Sequence, residues 1–379
     1  MIWVFWISFA LLVWAYVGYA VVWSVLAAIF PKRGTHSEPP EIRATLLVAA
    51  HNEAGSIAAK IENALQIDVS PATLDIVVTC DGCTDGTAQI ARGYEDQGVK
   101  VLDCPDHLGK ASALNAALAD IASDVVVFSD ANSIIRPEAL TLLLRHFHDE
   151  TVGGACGAIG VKAGEGSWLE HAEAVYWAYD HILKKAESRI AGAVSAQGSL
   201  YAVRRNLIGT VPEALADDSA VSLDVVRQGF RLVFEPGATV AETVTSSPPK
   251  EFGRRVRSTE RGWRSLMHFS ELLNPFRHGL YSVQLISHKL VRRLTPFLVL
   301  FLMISGFGLA DQGLAYPLLS SLLLAFATIG ALGFAFRDRL PKLFAAPVFF
   351  VVMSVAMMLG VLNAMMGRRT VTWSPARSG

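Results

Sequence analysis

The chain has 379 residues, of which 52% are hydrophobic and only 18% charged, and its formal net charge is −1. Residues 1–30 contain no Asp, Glu, Lys or Arg and residues 294–379 contain eight, so 59 of the 67 charged residues lie in residues 31–293. That middle part is about 22% charged, close to the roughly 25% of a soluble domain. The distribution excludes a purely soluble enzyme and a transporter built of helices throughout, and the near-zero net charge argues against a nucleic-acid binder.

The first segment, residues 2–30, is continuously apolar. As a helix rising about 1.5 Å per residue, it is long enough to cross a hydrocarbon core of roughly 30 Å. A secretory signal peptide is the alternative, but the segment has no basic start and exceeds the usual apolar run of about 7–15 residues. Lys32 and Arg33 follow it directly, so the positive-inside rule places residue 31 onward in the cytoplasm and the N-terminus outside.

Three further apolar segments are predicted to cross the membrane, at about residues 295–310, 314–336 and 343–366. The basic link 337–342 is predicted to be cytoplasmic, whereas four crossings from an outside N-terminus would place the C-terminal tail outside. That tail contains Arg368, Arg369 and Arg377, which favour the inside. One segment lying at the interface instead of crossing would reconcile the two criteria, and the side of the C-terminus stays open.

Residues 274–293 precede these segments and mix apolar residues with basic ones. The basic residues are Arg277, His278, His288, Lys289, Arg292 and Arg293. We expect an interfacial amphipathic helix with its basic face toward anionic headgroups, a plain surface helix being the alternative. The chain then divides into an N-terminal transmembrane helix (1–30), a cytoplasmic domain (31–273), this interfacial helix (274–293), a C-terminal transmembrane region (294–367) and a tail (368–379).

The cytoplasmic domain alternates strands with helices. The predicted strands are residues 44–50, 74–80, 99–102 and 124–129, and the predicted helices are one ending near residue 66 and those at 87–94, 110–122 and 137–148. Strand, crossover helix and strand repeating at this spacing predict an α/β fold with a parallel, doubly wound sheet. In such sheets, ligands bind beyond the carboxyl ends of the strands.

Polar clusters follow three of these strands directly, at residues 51–53, 81–85 and 130–132. One such residue alone is as often a turn residue or helix cap, but three clusters on adjacent strand ends, with Lys110 opening a helix nearby, indicate one site. No dinucleotide fingerprint and no Walker A sequence is present, so neither NAD nor P-loop chemistry is indicated. The pattern fits a nucleotide diphosphate, with carboxylates holding base and ribose and a hard divalent cation bridging carboxylate and diphosphate oxygens.

These motifs resemble family 2 glycosyltransferases, in the membrane-anchored branch that includes poly-N-acetylglucosamine, hyaluronan and cellulose synthases. The matching runs are residues 48–53 (VAAHNE), 81–87 (DGCTDGT), 108–115 (LGKASALN), 128–132 (FSDAN), 197–205 (QGSLYAVRR), 216–218 (ADD), 228–236 (QGFRLVFEP), 252–263 and 272–275. Each run is weak alone, but together they occur in the expected order over residues 44–295.

The resemblance implies a GT-A fold and an inverting, metal-dependent transfer of a sugar from a nucleotide sugar, usually a UDP-sugar. Position by position, it places His51 and Glu53 against the uracil and Asp81 at the base or ribose. Lys110 would lie near the nucleotide, and Asp130 would open the metal-binding D-x-D element. The implied cofactor is Mg²⁺ or Mn²⁺.

Asp218 matches the carboxylate that acts as general base in the family's T-E-D motif. Inversion requires the acceptor hydroxyl to attack the anomeric carbon opposite the leaving diphosphate, and a positioned carboxylate can take its proton. Asp217 beside it would raise its pKa through like-charge repulsion. The alternative for this pair is the capped start of a helix at 219–228, a role that is compatible with catalysis. The resemblance also assigns Gln197, Gly198, Ser199 and Asp217 to the donor and acceptor pocket.

Two positions depart from the family pattern. The D-x-D element, Asp130 to Asn132, ends in a neutral oxygen donor, a weaker ligand for a hard cation than a carboxylate, so metal affinity or choice stays open. The Q-x-x-R-W signature of processive synthases is incomplete, because Arg257 matches its arginine but the Gln is missing and Trp263 lies six residues further on. Arg257 would neutralise diphosphate, the alternative being a basic helix against anionic lipid, and processivity is left open.

We therefore expect a membrane-bound inverting glycosyltransferase that extends a polysaccharide or glycan at the cytoplasmic face of the inner (plasma) membrane. Its expected donor is UDP-N-acetylglucosamine first and UDP-glucose next. A single-addition transferase with a lipid-linked acceptor is a rival, and an inactive membrane scaffold is a weaker one because Asp130 and Asp218 are both present. Membrane lipids are expected partners. Since four crossings are few for a secretion path in one subunit, a second copy or a secretion partner would complete it.

Overall fold

The computed structural model describes residues 1–30, 36–160, 168–242, 248–335 and 345–368. Within them, eight strands form one sheet. The strands are β1 (Arg43–Ala50), β2 (Thr73–Asp81), β3 (Val99–Cys104), β4 (Val125–Asp130), β5 (Ser133–Ile135), β6 (Val152–Gly160), β7 (Leu200–Arg204) and β8 (Arg231–Glu242). The four predicted strands are confirmed to within two residues at each end.

Helices cover both faces of this sheet and lead into the membrane segments. They are α1 (Ile2–Ile29), α2 (Ile57–Leu65), α3 (Thr87–Arg92), α4 (Lys110–Ala119), α5 (Ala139–Leu144), α6 (Trp168–Ile190), α7 (Asp217–Arg227), α8 (Pro248–His268), α9 (Pro275–His278), α10 (Leu280–Phe307), α11 (Ala315–Ala335) and α12 (Ala345–Met365). Short 3₁₀ turns occur at Glu95–Gln97, Arg145–His148, Arg205–Leu207, Ser270–Leu273 and Ala310–Gln312.

Strand β1 shows why the soluble part folds as three layers. Leu46 and Val48 point into one buried cluster, whereas Leu47 and Ala49 point into another on the opposite face. Because successive side chains of a strand alternate between faces, a strand that is apolar throughout must be covered on both sides. Helices α2 and α5 cover the first face and α4 and α7 the second.

The sheet order is β3-β2-β1-β4-β7-β6-β8-β5. Strands β1 to β4 pair in parallel, as predicted, and so do β6 and β8. Strand β7 enters antiparallel to β4 and β6, and β5 pairs antiparallel with β8. The α/β fold class is confirmed, and the sheet is mixed beyond β4. The antiparallel insertion places the Gln197–Ser199 loop, which precedes β7, beside the carboxyl end of β4.

Among the residues that the structure describes, four helices are long and apolar enough to cross a membrane: Ile2–Ile29, Leu280–Phe307, Ala315–Phe334 and Pro347–Met365. At most 33% of the most apolar window of each is buried within the protein. Such broad apolar exposure is not stable in water and is what a lipid solvent requires. One N-terminal and three C-terminal membrane helices are thus found, as predicted. Gly360 lets α12 approach α8 closely, because a Cβ there would lie 2.8 Å from the carbonyl oxygen of Val256.

Residues 274–293, for which an interfacial amphipathic helix is predicted, include the start of a longer helix. Helix α10 runs without a break from Leu280 into the apolar part. His288, only 3% exposed, lies 2.7 Å from Glu187 and 3.2 Å from Asp180 of α6. These carboxylates, which are distant in sequence, hold His288 inside the protein. Lys32, Arg33, the 337–342 link, Arg369 and Arg377 lie outside the described residues, so the predictions on orientation stay as they were.

Candidate active site

The three polar clusters predicted at strand ends meet at one edge of the sheet. Strand β1 lies between β2 and β4, with Ala50 opposite Cys80 on one side and Ala49 opposite Asp130 on the other. The residues that follow these positions therefore emerge side by side, as expected for parallel strands. His51, Asp81 and Asp130 are brought together by backbone pairing alone.

Asp81 lies at this edge of the sheet and is 1% exposed. Its carboxylate accepts hydrogen bonds from the backbone N–H groups of Leu108 and Gly109 at 3.0 Å and from His107 Nδ1 at 2.9 Å. His51 donates from Nδ1 to the Asp81 carbonyl oxygen, and its ring stacks on that of His107 at 3.8 Å between centroids. The two stacked rings thus lie beside a carboxylate whose position is fixed by several hydrogen bonds. His107 has no sequence signal of its own, since it lies in a loop without periodic pattern.

Asn52 and Glu53 fasten the loop after β1 to the loop after β2. Asn52 adopts a left-handed conformation (φ 53°), and its side-chain oxygen accepts from Thr84 N at 2.8 Å. The Glu53 backbone N–H donates to Thr87 Oγ1, and its carboxylate accepts from Ser56 Oγ. Asn tolerates this backbone region better than most residues, which explains its place in the motif. The two loops are thus held as one surface.

Lys110 lies at the first position of α4, and its ammonium group joins two carboxylates. It is 2.8 Å from Asp130 and 2.9 Å from Asp217, with 14% of its side chain exposed. Burial disfavours the charged form, but the attraction of Asp130 and Asp217 outweighs it and raises the pKa of Lys110. The lysine therefore stays cationic and links the end of β4 to the start of α7.

The paired carboxylates at the start of α7 have opposite pKa shifts. For Asp217, burial raises the pKa, but Lys110 and Arg261 outweigh that effect, and its pKa lies below the usual value. For Asp218, burial and the neighbouring charge of Asp217 raise the pKa, against the opposing effects of Lys110 and of the Ser219 backbone N–H. Asp217 is thus held ionised by neighbouring cations, whereas the raised pKa of Asp218 makes it the better proton acceptor of the two. Helix α7 begins at Asp217, two residues before the predicted start, and its N-cap residue is Ala216, whose position has no side-chain cap hydrogen bond.

A cavity of about 1100 Å³ opens in front of these groups. Its lining includes Glu53, Lys110, Asp130, Asn132, Asp217, Asp218, Gln197, Gly198, Ser199 and Arg257. Gly198 lies against Asp218, since a Cβ there would be 3.4 Å from Asp218 Oδ2. His51, Asp81 and Trp263 are not part of this lining. The predicted site residues other than His51 and Asp81 thus line one cavity.

A buried lysine that sequence patterns do not single out supports the turn after β4. Lys60 of α2 is fully buried, and its ammonium donates to Ser129 Oγ at 2.7 Å and to the Ser133 carbonyl at 2.6 Å. Ser129 Oγ in turn donates to the Ser199 carbonyl at 2.8 Å. Burial lowers the pKa of Lys60 to about 7 although Asp130 opposes the shift. The residue looks like one more helical surface lysine in the sequence, because its partners lie about seventy residues away.

The residues present fit a hard divalent cation. Asp130 and Asn132 line the cavity with a carboxylate and an amide oxygen, which are ligand types that Mg²⁺ and Mn²⁺ accept. Lys110 binds only Oδ1 of Asp130, which leaves Oδ2 for a metal. His51, Asp81 and His107 also bring ligand atoms within 4.8 Å of one another. In this group, His107 and the Gly109 backbone N–H donate hydrogen bonds to the two carboxylate oxygens of Asp81. These bonds already account for the closeness of the three side chains.

Comparison with known proteins identifies the relatives of this fold. The family model described as "Glycosyltransferase like family 2" matches residues 39–265. Poly-β-1,6-N-acetyl-D-glucosamine synthase of Staphylococcus aureus is 25% identical over 245 residues, which cover 62% of this chain and 59% of that protein. The chain thus spans well under two thirds of the length of this relative. An N-acetylglucosaminyltransferase of Mesorhizobium japonicum is 22% identical over 339 residues, or 85% of this chain and 79% of the relative.

A solved structure shares the architecture across nearly the whole chain. The mannosyltransferase PcManGT of Pyrobaculum calidifontis, in complex with GDP-mannose and Mn²⁺, superposes with a TM-score of 0.73. It covers 97% of this chain and 100% of that protein at 21% identity. At that identity the likeness establishes the fold and leaves the substrates to other arguments. The soluble part has the GT-A fold predicted from the motifs.

Proposed function

The chain belongs to glycosyltransferase-like family 2, and from this premise we propose that it transfers a sugar from a UDP donor, with inversion, to a glycan acceptor. N-acetylglucosamine is the first candidate sugar, because two relatives are named for it, and glucose is the second. Sequence and fold make it a glycosyltransferase and, by its four apolar helices, a membrane protein. The donor, acceptor and membrane face belong to the proposal.

The observation that carries the proposal is the arrangement of Lys110, Asp130, Asp217 and Asp218 on one wall of the cavity. In the proposed reaction, an acceptor hydroxyl oxygen forms a bond to the anomeric carbon while the bond from that carbon to the diphosphate breaks. The electron pair leaves with UDP, and the hydroxyl proton passes to Asp218. Its raised pKa improves its ability to accept that proton.

The remaining predicted residues bind the donor. His51, supported by its stack on His107, faces the uracil, and Asp81 holds the base or ribose from its frame of N–H donors. Lys110 and Arg257 offset the charge of the diphosphate. A cation bound by Asp130 and Asn132 would add Lewis-acid stabilisation of the leaving group.

The membrane helices set where the reaction occurs. We propose that residues 31–273 form the catalytic domain at the cytoplasmic face of the plasma membrane, where UDP-sugars occur, with residues 294–367 as the C-terminal membrane region. Lys32 and Arg33 after α1 support that orientation through the positive-inside rule. The acceptor is a growing polysaccharide or a lipid-linked glycan, and a processive enzyme would need a second copy or a secretion partner to complete a path across the bilayer.

The test is a reconstituted reaction. Purified full-length protein in detergent or lipid is incubated with radiolabelled nucleotide sugars and Mg²⁺ or Mn²⁺, with glycan and lipid-linked acceptors, and the products are sized. We expect consumption of UDP-N-acetylglucosamine above other donors, with Asp218→Asn as the inactive control. Consumption of a different nucleotide sugar instead would correct the donor assignment. If no donor is consumed with any acceptor and metal, the proposal fails.

A further inference from the structure

A chain of buried polar groups runs along α6 and begins at two membrane helices. Glu187 of α6 is fully buried, and its Oε1 accepts from the Tyr19 hydroxyl of α1 at 2.6 Å and from His288 Nδ1 of α10 at 2.7 Å. The other ring nitrogen of His288 lies 3.2 Å from Asp180, about two helical turns before Glu187 on α6. One face of α6 is thus bonded to two of the helices that can cross the membrane.

Lys184 continues this chain to the cavity. Its side chain is 3% exposed, and its ammonium group lies 3.3 Å from Asp180 and donates to the side-chain oxygen of Gln197 at 3.1 Å. Burial raises the pKa of Asp180, but Lys184 and His288 outweigh that effect and hold its pKa well below the usual value. The pair is therefore ionic. Because charge-assisted contacts are stronger than neutral hydrogen bonds, they fix the position of the lysine.

The Gln197–Ser199 loop is thereby held at both ends. At its far end, the Ser199 carbonyl accepts from Ser129 Oγ of β4 at 2.8 Å. Between the two supports, Gly198 lies against Asp218, since a Cβ there would be 3.4 Å from Asp218 Oδ2. A shift of the first residue of the loop would therefore move the backbone that borders the proposed base.

Both membrane helices depart from regular α-helix where they meet this chain. Residues Trp14–Gly18 of α1 and Ile286–Val291 of α10 form π-helical turns. The tryptophan that opens the first turn donates its indole N–H to Ser287 Oγ of the second at 3.0 Å, so the two turns are in contact. A π turn is rare, contains an extra residue and is frequent at functional sites. His288 lies within the second turn and Tyr19 directly follows the first, so both turns occur where the chain is bonded.

We propose that Lys184 is a positioning residue that holds the Gln197–Ser199 loop beside Asp218, and that the buried chain fixes its place relative to α1 and α10. This rests on the proposed function and adds a dependence of turnover on groups outside the cavity. Tyr19 and Glu187 are not among the described residues that line it, so an effect of either on the reaction must pass through other residues. The alternative for Lys184, which does line the cavity, is a direct contact with the donor diphosphate.

Tyr19→Phe removes one hydroxyl group at the far end of the chain and gives the first test. Full-length protein in lipid nanodiscs is assayed for UDP release from UDP-N-acetylglucosamine with Mn²⁺ and with glycan and lipid-linked acceptors. We expect kcat to fall by about three- to tenfold, with the donor KM unchanged because the donor-binding residues keep their contacts.

Trp23→Phe is the matched control for this variant. Trp23 is buried beside Tyr19 in the same contact of α1 with α6, with 4.6 Å between ring centroids. Its indole N–H has no hydrogen-bond partner in the described part of the chain, so the substitution disturbs packing without breaking the chain of polar groups. We expect kcat near the wild-type value. Equal losses of kcat in Trp23→Phe and Tyr19→Phe would assign the effect to helix packing and overturn the inference.

Lys184→Met breaks the chain next to the loop. Its kcat should fall at least as far as that of Tyr19→Phe, while the donor KM stays within about twofold of the wild type. Lys185→Met is the control, because Lys185 is the next residue of α6, is exposed and does not line the cavity. A large rise in donor KM with kcat unchanged would show that Lys184 binds the donor directly, which overturns its positioning role.

The double variant tests whether the two groups act through one chain. Once Lys184→Met has released the loop, loss of the Tyr19 hydroxyl should have no further effect on kcat, whereas additive losses overturn the chain. Thermal unfolding of each variant is compared with the wild type. If Lys184→Met unfolds early, the comparison of Tyr19→Phe with Trp23→Phe decides by itself.

The outcomes separate this inference from the proposed function. Wild-type kcat in both Tyr19→Phe and Lys184→Met overturns the inference and leaves the transferase unaffected. No UDP release by the wild type with any acceptor overturns the proposed function, and the inference with it.

Discussion

The ammonium group of Lys110 lies 2.9 Å from the carboxylate of Asp217, in a place where both side chains are largely buried. This contact joins the start of α4 to the start of α7, and the 2.8 Å contact of the same lysine with Asp130 adds the end of β4. The Lys110 ammonium group thus connects three elements of the site. They carry the predicted metal ligand Asp130, the carboxylate pair of α7 and Lys110 itself, which is predicted to bind the nucleotide. Its charge also sets the protonation of the carboxylates beside it.

Replacing the proposed base tests the mechanism most directly. Asp218→Asn keeps the shape of the side chain and removes its capacity to take a proton, so kcat should fall by about 10²- to 10⁴-fold. Turnover is measured with saturating donor. Asp224→Asn serves as the control, because Asp224 lies on the same helix but pairs with Arg227 outside the cavity. Near-normal turnover by Asp218→Asn would falsify the assignment of the base.

The pH dependence of kcat/KM should report the same carboxylate. Burial and Asp217 raise the pKa of Asp218, and the base works only when ionised, so activity should be lost on acidification at a pH above the usual carboxyl range of about 4. Lys110→Met removes a cation that lowers the pKa of both carboxylates, so the acidic limb should move to higher pH. An unchanged limb in this variant would mean that another group controls it.

The strand ends of the site could be predicted from the sequence because each depends on a local pattern. A buried apolar strand followed by a polar cluster places His51, Asp81 and Asp130 whatever the rest of the chain does. Lys110 was also identifiable, since it opens a helix after a glycine. Parallel pairing then brings these positions together without further information.

What could not be predicted depends on contacts between distant segments. The direction of β7 is one case, because Leu200–Arg204 would have the same apolar pattern in either orientation. His288 is another, since a basic residue at the start of a membrane helix normally faces headgroups and here binds Glu187, 101 positions away. Lys60 and His107 could not be predicted either, because their contacts also join segments that are distant in the sequence.

The metal dependence of activity should change when Asn132, the neutral residue of the D-x-D element, is replaced by a carboxylate. Asn132→Asp restores the carboxylate that the family pattern has at this position, and a charged oxygen binds a hard cation more tightly than a neutral one. We expect the Mn²⁺ concentration for half-maximal activity to fall severalfold. Gln97→Glu adds the same charge on an exposed turn and should leave it unchanged. If the two variants behave alike, Asn132 is not a metal ligand.

The buried lysine beneath the turn after β4 should be visible in the pH dependence of stability. Its pKa is about 7 in the folded chain and near the usual value of about 10.4 when unfolded, so between these values the unfolded chain binds more protons. Between about pH 7 and pH 10.4, the contribution of Lys60 to the free energy of unfolding therefore rises with pH, by up to about 1.4 kcal/mol per pH unit. Below about pH 7 both states are protonated, and the full cost of burying the charge is present.

Lys60→Met isolates this contribution, since methionine has a similar length and does not titrate. Thermal unfolding in detergent between pH 7 and 10, followed by tryptophan fluorescence, should show a rise for the wild type relative to the variant. Lys100→Met is the control, because Lys100 is exposed and should follow the wild type. Parallel curves for wild type and Lys60→Met would mean that Lys60 stays protonated when buried. In that case its bonds to Ser129 and Ser133 stabilise the ammonium form enough to offset its burial.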